Sequence, residues 1–99
     1  MKIVVSNATP VISLASIDRL VFLEEIFKKI HIAEAVYDEI TSARYPGYQE
    51  LDSSLFEIRR ISEREGLIPL LKKLDLGEAE SILLASEIKA DALIMDLSS

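Results

Sequence analysis

Apolar and polar positions along this chain follow two periods, and the period switches often. Ile3, Val4 and Val5 form a β-branched run closed by Ser6 and Asn7, which predicts a buried parallel strand over residues 2–6. Thr9-Pro10 then starts a helix, with Thr9 as N-cap and Pro10 at the first helical position. Val11, Leu14 and Ala15, and after a break Leu20, Leu23, Ile26 and Phe27, recur at helical spacing. Asp18 reads as a second N-cap, so two consecutive helices are predicted. Lys28 and Lys29 close the second on the cation-favouring end of its dipole. A short alternating strand follows over 30–33 and a helix over 34–43. Tyr45-Pro46-Gly47-Tyr48 is a turn. Beyond it the pattern gives a weak helix over 49–55, a short strand over 56–61 and one or two helical turns over 66–73. The strongest helix covers 78–89, and Ala92-Leu93-Ile94-Met95 is a second buried strand ending on Asp96.

Strands alternating with helices favour an α/β fold with a central parallel sheet flanked by helices, in a single domain over 1–99. The chain stops three residues after a core strand, at Leu97-Ser98-Ser99. A strand in that place normally has a covering element after it, so the last elements of the domain are expected to be missing.

Composition narrows the class. Hydrophobic residues make up 49% and charged residues 28%, a globular balance. No apolar run reaches the roughly 18 residues of a membrane helix, and the start lacks a signal-peptide core. There is no cysteine, so disulfides and Cys-ligated zinc are excluded. A cytoplasmic protein with no membrane contact is expected. Seventeen acids against 11 Lys plus Arg leave a formal charge of −6, the opposite of a typical nucleic-acid binder. A nucleic-acid enzyme remains compatible if the carboxylates gather where divalent cations neutralise them.

Ligands of open α/β sheets gather beyond the carboxyl ends of the strands. Asn7 follows the first strand and Asp96 the last. Glu78 and Glu80 lie at a helix start on the same expected edge, and Glu39, in Val36-Tyr37-Asp38-Glu39-Ile40, has a spacing that lets it face there. Oxygen donors from separate segments suit a hard cation such as Mg²⁺ or Mn²⁺. Each also has a plainer reading. The two glutamates favour a helix dipole, Glu39 is a solvated helix residue, Asn7 caps a helix, and Asp96 opens a loop. His31, between two isoleucines, reads as structural. Tyr45 and Tyr48 read as cover for a core edge, and Arg59, Arg60 and Arg64 as a solvated face.

Four segments in order carry a resemblance: residues 3–15, Ala33-Glu34-Ala35-Val36-Tyr37-Asp38-Glu39-Ile40, Leu76-Gly77-Glu78-Ala79-Glu80-Ser81-Ile82, and Ala90-Asp91-Ala92-Leu93-Ile94-Met95-Asp96. The chain resembles the PIN-domain family, in its DUF3368-type branch related to VapC-like toxins, over essentially its whole length. That resemblance implies a three-layer αβα fold and an acidic cluster binding Mg²⁺ or Mn²⁺. It further implies cleavage of RNA phosphodiester bonds by metal-activated water. Its site positions fall on Asn7, Glu39, Asp96 and one of Glu78 and Glu80, with Glu80 favoured by the apolar pattern after it. Asn7 departs from the family's usual acid. The resemblance also implies an RNA substrate, an antitoxin partner and a homodimer or higher oligomer. Against the enzyme stands a second reading, an inactive truncated remnant serving as an interaction module. A phosphate-transferring signalling domain is disfavoured, since there is no Gly-rich phosphate loop.

Overall fold

A computed structural model of the chain describes residues 2–96. The expected break after Leu97-Ser98-Ser99 lies outside the described residues. In chain order the elements are β1 (Val4–Ser6), α1 (Ala8–Ser16), α2 (Val21–Ile26), β2 (Ile30–Ala33), α3 (Glu34–Ser42), β3 (Phe56–Arg59), α4 (Leu67–Leu70), α5 (Leu76–Glu87) and β4 (Ala92–Ile94). Short 3₁₀ turns at Glu50–Asp52 and Arg64–Gly66 flank β3.

The strands form one all-parallel sheet in the order β3-β2-β1-β4. This is the α/β arrangement that the alternation predicts. Val4 of β1 pairs with Ile30 on one side and Ala92 on the other. All three residues of β1 are buried, as a central parallel strand requires. Because β2 and β4 flank β1 on opposite sides, the sheet has its switch point between the carboxyl ends of β1 and β4. Helices α3 and α5 pack on each other and against the central strands. Val5, Val11, Ile30, Ile32, Val36, Ile40, Leu51 and Leu84 are almost wholly removed from solvent at the centre of the core.

The ends of the helices differ from expectation. Helix α1 starts two residues earlier than Thr9-Pro10 implies, with Asn7 in the N-cap position and extended. Pro10 then sits in the first turn, where its missing N–H has no partner to lose. Asp18 does not open α2. It takes φ 57°, and the Asp18 and Arg19 amides donate to Ala15 and Leu14 carbonyls at 3.0 and 2.7 Å, a Schellman closure of α1. Helices α3 and α5 close in the same way through Arg44 and Lys89, each with φ 52°. Helix α5 begins at Leu76, two residues before the expected start at Glu78.

Candidate functional site

The start of α5 is built by a capping box. The Asp75 carboxylate accepts from the Glu78 amide at 2.8 Å, and the Glu78 carboxylate accepts from the Asp75 amide at 3.0 Å. The reciprocal bonds fix both side chains, and Glu78 is buried. From α3, the Glu39 carboxylate approaches this turn at Gly77. A Cβ at residue 77 would stand 3.0 Å from Glu39 Oε1 and 3.5 Å from Val36, so glycine lets the two helices come this close.

Asn7, Thr9, Glu39, Asp75, Gly77 and Glu78 line a small cleft of about 30 Å³, room for roughly one water molecule. Through Glu39, Asp75 and Gly77 it adjoins a wider groove of about 440 Å³ that reaches Asp38 and Ser42. The electrostatics fit this crowding. Partial burial pushes the Glu39 carboxyl above its ordinary value of 4.5, and the neighbouring Asp75 and Glu78 carboxylates push it the same way.

Of the five expected site residues, Asn7, Glu39 and Glu78 therefore meet at one cleft. Asp96 touches its rim through the main chain: Asn7 Nδ2 donates to the Asp96 carbonyl at 3.1 Å, and the Asp96 amide donates to Asn7 Oδ1 at 3.4 Å. Glu80, favoured by the apolar pattern, lies elsewhere. Two residues along a helix are about 200° apart, so Glu78 and Glu80 face opposite ways. The buried Glu80 carboxylate accepts from the Ala35 amide at 3.0 Å, which caps α3, and its other oxygen stands 3.5 Å from Arg64 Nη1. Two further site residues are not among the expected five. Asp75 carries a sequence signal, the Asp75-Leu76-Gly77-Glu78 spacing of a capping box. Gly77 carries none beyond being a glycine in a helix's first turn.

Could these residues hold a hard cation? No group of three or more His, Asp or Glu side chains converges on one metal position among the described residues. Glu39 is free of hydrogen bonds in the cleft, and Asp75 and Glu78 each keep one oxygen outside the capping box. Mg²⁺ commonly binds through one or two carboxylates while keeping several waters, so these carboxylates suit it in kind, while its waters would need the adjoining groove rather than the cleft alone.

The remaining candidates have structural surroundings. Arg59, Arg60 and Arg64 each face a carboxylate, on Glu57, Glu34 and Glu80. Tyr48 packs on the core while Tyr45 is exposed. His31 Nδ1 stands 3.4 Å from Glu57 across β2 and β3 but off the line of a hydrogen bond, and burial lowers the imidazole pKa from 6.5. No helix among the described residues is long and apolar enough to cross a membrane.

The DUF3368 family model, described as a PIN domain, covers residues 3–98. No curated protein and no solved structure matches the chain.

Proposed function

Because this chain belongs to the PIN-domain family, whose members point to nuclease-type chemistry on RNA, we propose that it is a Mg²⁺- or Mn²⁺-dependent endoribonuclease acting at the cleft between α3 and α5. The observation that carries this reading is the approach of Glu39 to the capped start of α5 over Gly77. It brings three carboxylates, with at least one free oxygen each, to the carboxyl-end side of the sheet.

Glu39 and Glu78 would hold the ion, with Asp75 as a further oxygen donor and Asp96 at the rim. The ion, when bound, supplies a Lewis acid for the phosphate and an activated water. The chain's own residues do the rest. The capping box keeps the Glu78 carboxylate in one orientation, so little ordering is left for the moment of binding. The adjoining groove is lined by Asp38, Glu39 and Asp75, so an RNA strand entering it would need bound cations to offset those carboxylates.

The reading extends to partners. Exposed Ile17, Val21, Phe22 and Ile26 form an apolar row on and beside α2, and they support association with a second copy of the chain. A toxin role with an antitoxin partner rests on the sequence resemblance, and a cytoplasmic setting on composition.

The test is a thermal melt with and without millimolar Mn²⁺, beside an RNA-cleavage assay in Mg²⁺, Mn²⁺ or EDTA. An ion that binds only the folded chain raises its midpoint. The expected result is a Mn²⁺ shift and metal-dependent cleavage, both lost in Glu39→Gln and both kept in Glu80→Gln once its fold is verified. A melt indifferent to Mn²⁺ together with no cleavage would overturn the proposal and favour the interaction module.

A further inference from the structure

We propose that Asn7 is a positioning residue: its side-chain amide clamps the main chain of Asp96 to the end of β1, and the metal is left to the carboxylates across the cleft. The inference rests on the metal-site reading for its second half only.

Three observations carry it. First, the Asn7 side chain is 3% exposed and both ends of its amide face one residue, with Nδ2 donating to the Asp96 carbonyl and Oδ1 accepting from the Asp96 amide. Second, Asn7 stands in the N-cap position of α1 yet accepts from no amide of that helix, so capping does not explain it. Third, the contact prolongs the β1–β4 ladder. Ser6 pairs with Ile94, the Asn7 amide then donates to the Ile94 carbonyl at 3.1 Å, and the side chain supplies the next rung.

The chemistry of this contact selects an amide. A carboxylate could accept from the Asp96 amide but could not donate to the Asp96 carbonyl, and its charge would face that oxygen. The clamp lies at the switch point of the sheet, where the carboxyl ends of β1 and β4 diverge. It gives the chain after β4 a fixed origin beside the cleft, so Asn7 acts on the site through Asp96.

The experiment compares Asn7→Ala with Asp96→Asn, read by hydrogen exchange at residue 96 and by Mn²⁺ affinity from calorimetry. In Asn7→Ala the Asp96 amide should exchange about tenfold faster, and Mn²⁺ should bind about tenfold more weakly, as when an outer-shell partner is lost. Asp96→Asn keeps the main-chain groups that Asn7 holds, so it should leave exchange at residue 96 native whatever it does to affinity. Weaker Mn²⁺ binding in Asn7→Ala with native exchange at Asp96 would make Asn7 an independent ligand and overturn the proposal, as would unchanged exchange. If Asn7→Ala does not fold, the isosteric Asn7→Asp decides. Faster exchange without tighter Mn²⁺ binding supports the clamp, and a tenfold tighter site overturns it. If the native chain binds no Mn²⁺, the metal reading fails and exchange alone judges the clamp.

Discussion

Glu39 carries its charge at the expense of the fold. Its carboxyl is pushed above 4.5 by partial burial and by Asp75 and Glu78. In the unfolded chain it ionises at the ordinary value, so between the two values the folded state holds more protons and stability falls as pH rises. The penalty is complete above the raised pKa. Glu39→Gln removes the charge and keeps the size. In EDTA at pH 7 the variant should therefore melt above the native chain, with the gap closing as pH drops below 4.5; equal midpoints at pH 7 would refute the crowding. Glu87 has the opposite sign. It accepts from the Ser62 and Glu63 amides, its pKa is lowered, and its contribution is present above 4.5 and lost as pH falls through the lowered value. At this scale the sequence offered the residue types without their assignments. Asn7, Glu39, Glu78 and Asp96 were all visible as oxygen donors beyond strand ends or on helices. The choice between Glu78 and Glu80 was not legible, because an apolar pattern gives a helix's buried side without saying which neighbour lies at either flank.

Elements were legible from periodicity, but their caps were not. Three helices close on left-handed residues that are not glycine: Asp18, Arg44 and Lys89. An ordinary side chain there costs about 1–2 kcal/mol relative to the right-handed form, and glycine avoids the cost. Arg44 and Lys89 recover part of it, since a cation suits a helix carboxyl end, whereas Asp18 sets an anion there. Asp18→Gly, Arg44→Gly and Lys89→Gly should each stabilise the chain, by up to about 1 kcal/mol. Urea melts of the three variants check this, and a loss in any of them would show that the native side chain makes a compensating contact. Asp18 also explains the misplaced cap in the sequence reading. Asp is favoured both at N-caps and in left-handed turns, and between two adjacent helices the pattern does not separate an end from a beginning. Apolar periodicity starts the helix at Glu78, whereas the reciprocal partner of its capping box, Asp75, stands three residues upstream, outside the periodic run.

For the whole molecule, the net charge of −6 opposes self-association, yet the charge near α2 is mixed in sign. Around α2 the order is Asp18, Arg19, exposed Val21 and Phe22, Glu24, Glu25, exposed Ile26, then Lys28 and Lys29, so acids and cations are interleaved with the apolar positions. Two copies paired about a two-fold axis would cover those apolar positions without stacking like charge on like. Light scattering behind size exclusion should then report twice the chain mass of 11.1 kDa, most clearly once salt screens the like net charge of the two copies. Phe22→Glu with Ile26→Glu should give the monomer at any salt. A native chain that runs as a monomer even at raised salt would remove the second copy from the proposal and leave the row on α2 to another partner.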